Sequence, residues 1–290
     1  MILQEKNEDE ATWIKIPNDL LVKCVGHPIQ SIVSAIYDNF QTNYQDPIYL
    51  KQRAIITPYN DTVDEINSYV LDLLPGILKT YFSSDYISKG QDQLADQDLL
   101  YPTEFLNSLK FPGIPEHELK LKLGAVVMLL RNVNQNSGLC NGSRLLITQL
   151  APNVIEGRII SGLHANTRVF IPRIILTVKN EKWPFVLNRK QFPLRLCYGM
   201  TINKSQGQTL DIVGLFLPKP VFTHGQMYVA LSRVTSKKGL KMLILNEDTE
   251  ETNLTKNIVY KEIFTNLGSI SFFYIMSPND LLKMLLYFKY

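Results

Sequence analysis

Apolar positions along the chain change their spacing several times, and each change predicts a different element. Ile32, Val33, Ile36 and Phe40 fall on one face at helical spacing, which predicts a helix over 29–40. Arg53-Ala-Ile-Ile-Thr-Pro58 is a continuous short run closed by proline and predicts a buried strand. Asn60 or Asp61 then caps a second helix, with Val63, Ile66, Val70, Leu73 and Leu74 as its apolar stripe. A strand followed directly by a helix is half of a β-α-β unit, so a parallel sheet is expected. Residues 83–115 are polar and dotted with Pro102, Pro112 and Pro115, which predicts a long, partly ordered loop.

From Leu119 the texture becomes β-like. Ala125–Arg131, Ser143–Gln149, Val154–Ile160 and Thr167–Arg173 are short apolar runs separated by turn signals, among them Asn141-Gly142, a strong hairpin cue. Four close-spaced strands with no helical pattern between them predict a small antiparallel barrel inserted into the α/β domain. The alternation of strand and helix then resumes. Leu194–Tyr198, Ile212–Leu217 and Leu240–Leu245 are expected strands, Met200–Ser205 a helix or loop, and Thr223–Val234 a helix. The expected architecture is therefore α/β with a parallel sheet, interrupted by a small antiparallel β-barrel.

Composition narrows this little. The chain has 290 residues, 45% of them hydrophobic, enough for one large or two modest domains. Thirty Lys and Arg against 27 Asp and Glu leave a formal charge of +3, which neither demands nor excludes nucleic acid, since a local basic groove is hidden in the average. Cys24, Cys140 and Cys197 are far apart and form no Cys-x-x-Cys pair, so zinc and a disulfide framework are not expected and a reducing, nuclear or cytoplasmic setting is. The apolar stretches Ala125–Leu130 and Ile270–Met276 fall short of the ~18 residues a membrane span needs, and no signal pattern opens the chain. No membrane partner is expected.

Candidate chemistry lies in three places. In Met200-Thr-Ile-Asn-Lys-Ser-Gln-Gly-Gln-Thr-Leu-Asp-Ile212, the residues Thr201, Lys204, Ser205 and Gln206 supply two hydroxyls, a cation and an amide, and Gly207 permits a positive φ. Such donors suit a phosphodiester backbone, which asks for charge and hydrogen bonds rather than base-edge geometry. Taken alone, the cluster reads equally as a polar helix C-terminus capped by Gly207. About twenty residues later comes Tyr228-Val-Ala-Leu-Ser-Arg-Val234, where Gln226, Val229, Ala230 and Arg233 share a helical face. A guanidinium there can stabilise charge on a phosphoryl group in transfer, or simply join a surface salt bridge. Third, Thr57, Tyr59 and Asn60 lie where a parallel strand ends, the edge at which α/β sheets present ligands, and the Tyr59 ring has the shape to stack on a base. His27, His117, His164 and His224 show no triad or metal spacing.

These residues resemble the C-terminal half of Pif-type (petite integration frequency) DNA helicases, in particular the Helitron-like branch, from about Trp13 to Phe264. Arg53-Ala-Ile-Ile-Thr-Pro-Tyr-Asn60 with Val63-Asp-Glu-Ile-Asn67 is similar to the family's fourth helicase motif. Leu119–Leu176, with Arg131-Asn-Val-Asn134, Gly138-Leu-Cys-Asn-Gly142 and Pro172-Arg-Ile174, is similar to its inserted SH3-like barrel. Thr201–Leu210 resembles the fifth motif and Tyr228–Arg233 the sixth. The resemblance implies a RecA-like second motor domain from 51–118 and 177–264, a barrel at 119–176, a linker or inter-domain remnant at 1–50 and an unassigned tail at 265–290. It implies Arg233 as an arginine finger, Gln206 and Gly207 as couplers to the nucleotide site, and Thr57, Asn60, Thr201, Lys204 and Ser205 as contacts to single-stranded DNA. Asn203 stands where many relatives place a histidine; both side chains donate a hydrogen bond.

The implied activity is 5′-to-3′ DNA unwinding driven by ATP with Mg. None of the 15 glycines is followed by lysine, so the Gly-Lys-Ser/Thr phosphate loop is absent from these residues. The acidic dyads Asp9-Glu10 and Asp64-Glu65 do not follow an apolar strand, as a magnesium site would require. The expectation is a chain that lacks its first motor domain, turns over no ATP alone and needs that domain as a partner. A non-catalytic nucleic-acid-binding remnant of a transposon helicase is the alternative.

Overall fold

The computed structural model describes residues 11–88, 101–179, 183–246 and 248–258. In chain order its elements are strand β1 (Ala11–Lys15), helices α1 (Pro28–Ile36), α2 (Phe40–Asn43) and α3 (Pro47–Lys51), strand β2 (Arg53–Thr57) and helix α4 (Asn60–Leu73). Strands β3 (Lys79–Phe82) and β4 (Ser84–Ile87) follow, then helix α5 (Thr103–Ser108). A β-rich stretch comes next: β5 (Glu118–Leu121), β6 (Val126–Leu129), β7 (Arg144–Leu150), β8 (Val154–Ile159), β9 (Arg168–Pro172), β10 (Ile174–Lys179), β11 (Val186–Gln191), β12 (Leu194–Leu196) and β13 (Gly199–Thr201). The described residues end with β14 (Ile212–Leu217), helix α6 (Gln226–Leu231), β15 (Leu240–Ile244) and β16 (Leu254–Ile258). Two compact units result, one from Met1–Phe40, Gln52–Val70 and Tyr198–Tyr290, the other from Gln41–Lys51 and Leu71–Cys197.

The first unit is built on a parallel sheet of order β13-β2-β14-β15. Every residue of β2 is buried, as a central strand covered on both faces requires. Gly199, Ile55 and Gly214 stand in one row across three strands. A Cβ on Gly214 would fall 2.5 Å from Ile36 Cγ1, and one on Gly199 3.0 Å from Ile66 Cγ2, so α1 and α4 close on the sheet where side chains are missing. Pro28 at the first turn and the His27 ring nitrogen, accepting from Ile29 N, start α1. It ends earlier than its apolar spacing predicts, at Ile36: Tyr37 leaves helical geometry with φ −103° and ψ 54°, and Asn39 then takes a φ of 52°. Phe40 is buried all the same and meets Tyr37 and Tyr198 edge-on, while Tyr37 donates its hydroxyl to Tyr198 O at 2.8 Å. Residues 11–40, expected within a linker, instead supply β1, paired antiparallel to β16, and the helix that covers the sheet. The tail 265–290 lies outside the described residues.

The second unit holds an antiparallel sheet of order β12-β6-β7-β8-β9. Its strands β6 to β9 fall where the four β-like runs predict them. Its outer strands, β12 and β9, are not paired to each other among the described residues, so the ladder stays open. Asn141-Gly142 forms a turn at the entrance to β7, with Gly142 at φ 90°, but at the end of a long connection carrying the helical turn Gln135–Ser137 rather than in a two-residue hairpin.

The loop expected over 83–115 contains β4 and α5. Their signal is non-local: β4 pairs with β11, a hundred residues onward. Arg189 of β11 forms a buried ion pair with Asp85 of β4, Nη2 to Oδ2 at 2.6 Å, and donates to the carbonyls of Leu106, Leu109 and Pro115. Proline and polar spacing hide such a hub from any local reading.

Candidate functional site

Three of the sequence-predicted clusters converge in the first unit. β13 and β2 run parallel with Thr201 registered against Thr57, so the chain leaves both strands at the same, carboxyl-terminal edge of the sheet. Ile202 N donates to Thr57 O at 3.1 Å, which ties the two exits together. Asn60 opens α4 there and is exposed; Thr201 is half-buried. Met200 and Thr201, expected in a helix or loop, belong to β13, and only Asn203–Ser205 form a single helical turn. Lys204, Gln206 and Gly207 are exposed, and Lys204 makes no ion pair among the described residues. Gly207 has φ 82°, a conformation that glycine adopts without strain, and it follows that turn as the sequence pattern anticipates.

Two members of the set are not at the surface. Ser205 is fully buried and its hydroxyl donates to Ile202 O at 2.6 Å. Thr57 is also fully buried, and its Oγ1 has no hydrogen-bond partner among the described residues. Both hydroxyls therefore lie beneath the edge that Asn60, Thr201 and Lys204 line.

Arg233 lies just past the end of α6 and is half-buried. Its Nε donates to Val229 O at 2.9 Å, Nη1 to Gln208 O at 3.2 Å and Nη2 to Ser232 Oγ at 2.7 Å. Leu210 N donates to Arg233 O, and Thr235 N to Leu210 O. The segment after Gly207 and the segment after α6 are thus joined by a ladder, and the guanidinium is fixed to it. The helical turn Asn203–Ser205 also packs against α6. Gln226, expected on the arginine's face, instead buries its side chain and accepts from Phe222 N and Thr223 N.

Asn67 of α4 gains a role that helical periodicity does not disclose, since a polar residue in a buried stripe breaks the pattern. Its Oδ1 accepts from Tyr198 N and Gly199 N, both at 2.8 Å, and its Nδ2 donates to Gly199 O at 3.1 Å. β13 is an edge strand, and this one amide satisfies the backbone groups at its start. Tyr59 donates its hydroxyl to Pro220 O at 2.9 Å and packs its ring on Phe222; burial raises its pKa.

Of the chain's own residues, those of the candidate site offer ATP with Mg the fixed guanidinium of Arg233. They include no Gly-Lys pair, and no group of three or more His, Cys, Asp and Glu able to hold a metal occurs among the described residues. The described residues do not compose a nucleotide–metal site by themselves. No described helix is long and apolar enough to cross a membrane.

Comparisons with known proteins bear on this arrangement. Residues 104–150 match the family model of the 2B domain of DNA helicase Pif1. The ATP-dependent DNA helicase PIF1 of Danio rerio is 33% identical over 212 residues, covering 71% of this chain and 29% of the relative. Its counterpart from Homo sapiens is 39% identical over 131 residues, covering 43% and 19%. The chain thus spans less than a third of the length of these curated relatives. Among solved structures, Pif1 helicase from Candida albicans aligns with a TM-score of 0.53 at 24% identity, over 83% of this chain and 57% of that one. Bacteroides Pif1 bound to single-stranded DNA aligns at 0.51 and 23%, over 73% and 44%. These two likenesses establish the fold, a RecA-like α/β arrangement around the parallel sheet. The sequence matches place the chain in the Pif1-type DNA helicase family.

Proposed function

We propose that the chain supplies the second motor domain of a 5′-to-3′ ATP-dependent DNA helicase of the Helitron-like branch, formed by 51–118 and 177–264. The antiparallel segment 119–176 is its inserted SH3-like barrel. Asn60, Thr201 and Lys204 hold the backbone of a single DNA strand across the carboxyl-terminal edge, with Thr57 and Ser205 shaping that edge from beneath. Arg233 is the arginine finger toward a triphosphate held by a first motor domain, and Gln206 and Gly207 couple the two functions. The observation that carries this reading is the ladder from Gln208 and Leu210 to Arg233, which makes the strand-facing segment and the arginine one mechanical piece. A change of grip on DNA at Thr201–Lys204 cannot then occur without straining the arginine's support, which is what coupling requires.

The second reading is a nucleic-acid-binding remnant of a transposon helicase without motor activity. Anisotropy with a labelled oligothymidylate addresses both. Lys204→Ala should weaken binding and flatten its salt dependence by about one counterion, whereas Arg233→Ala should leave binding unchanged. Equal loss in both variants would refute the division of roles. DNA-stimulated, Arg233-dependent ATP turnover by this chain alone would refute the need for another phosphate-binding domain. Turnover that appears only with a Gly-Lys-bearing motor domain added would support the helicase reading over the remnant.

A further inference from the structure

Phe222 is an aromatic residue that the proposal above leaves unused. It is 43% exposed, yet its position is built with care. Its backbone N–H donates 3.0 Å to Oε1 of Gln226, a side chain almost wholly buried, and the same oxygen accepts from Thr223 N at 3.3 Å. Its ring packs on Tyr59 with centroids 5.3 Å apart and an interplanar angle of 36°. Tyr59 in turn is anchored by its hydroxyl to Pro220 O. The loop after β2 and the loop after β14 are therefore locked around one aromatic pair, of which Phe222 is the more exposed member. Both loops leave parallel strands at the carboxyl-terminal edge that presents Asn60, Thr201 and Lys204. Lys219, three residues before Phe222, is exposed and makes no ion pair among the described residues.

A rigid ring pays little ordering entropy on binding, and an aromatic face on a sheet edge that also carries exposed lysines matches a base attached to a phosphodiester. We propose that Phe222 is a stacking platform for one nucleobase of a single strand, with Tyr59 as its backing and Gln226 as the positioning residue of the loop. This rests on the single-strand reading of the same edge. Tyr59 itself is the supporting ring, because its hydroxyl is committed to Pro220 and it is half-buried.

The test uses the 290-residue chain with two labelled probes of equal length, an oligothymidylate and an abasic strand. Phe222→Ala should weaken oligothymidylate binding on the order of 5- to 100-fold and leave the abasic strand unchanged. Phe222→Trp should restore oligothymidylate binding, which a purely structural role for the ring would not predict. Lys204→Ala should weaken both probes. If Phe222→Ala affects both probes equally or neither, while Lys204→Ala weakens both, the platform is refuted and the single-strand reading survives. If the wild-type chain binds neither probe, or neither substitution alters binding, the single-strand reading itself fails.

Discussion

Replacing Asn67 by alanine isolates the contact that holds β13 in place. The residue is 2% exposed and its amide serves three backbone groups, the N–H of Tyr198 and the N–H and C=O of Gly199. Tyr198 O is bonded elsewhere, to Ile55 N and the Tyr37 hydroxyl, so the loss falls on those three groups. A buried polar group left unsatisfied costs about 1–3 kcal/mol, and partial hydration of the vacated space brings the sum for three to about 3–6 kcal/mol. Asn67→Leu nearly conserves volume and removes the same bonds. A hydrogen-bond origin therefore predicts similar losses for Ala and Leu, whereas a packing origin predicts that Leu is well tolerated. Urea unfolding gives the magnitude, and amide exchange at Tyr198 and Gly199 gives the location, since those amides should lose protection ahead of β2. Because β13 ends at Thr201, oligothymidylate affinity should fall in the same variants. A Leu variant within about 0.5 kcal/mol of wild type, with unchanged exchange at both amides, would refute the reasoning.

Two further outcomes follow from buried groups in the second unit. Asp85→Ala strands the Arg189 guanidinium, 1% exposed, among carbonyls without its anion, and should cost about 3–5 kcal/mol by urea midpoint; less than 1 kcal/mol would mean that water reaches Arg189 in the folded chain. Cys197 is buried, and desolvation raises its thiol pKa against the smaller opposing influence of Arg144, so the thiolate is scarce near neutral pH. A disulfide-exchange reagent should consume Cys24 and Cys140, both partly exposed, and reach Cys197 only on unfolding; prompt reaction of three thiols in the native chain would contradict that burial.

What could be read from the sequence was whatever local spacing records. β2 is a continuous apolar run between a charged and a proline residue, and α4 follows with a capped stripe, so both were legible from 53 to 74. The same holds for β6 to β9. Elements stabilised by distant partners were not legible. β4 has two buried positions in four and no apolar run; it exists because β11 and Arg189 meet it. The stretch 194–201 read as one strand and a loop, yet it serves two sheets: β12 pairs with β6, and β13 pairs with β2 after Tyr198. Within the candidate site, residue type and motif single out Thr57, Thr201 and Lys204. The hydrogen bonds of Asn67, which the sequence offers only as the end of a motif, and the ring contacts of Phe222 depend on what faces them and not on the residues beside them.

Arg233 shows how much that facing environment decides. By sequence it was as well suited to a surface salt bridge as to a phosphate. Among the described residues, Arg53, Arg168 and Arg189 each meet a carboxylate within 3.1 Å. Arg233, like Arg173, instead meets neutral acceptors, in its case two carbonyls and a hydroxyl. Neutral acceptors fix a guanidinium in place without cancelling its charge, and half-burial limits how far water can screen it. An arginine kept only for stability would gain more from an acidic neighbour, because a carboxylate adds a Coulombic attraction that a neutral oxygen does not. Orientation without neutralisation serves an anion that arrives from outside, which is the chemistry the proposed function assigns to this side chain.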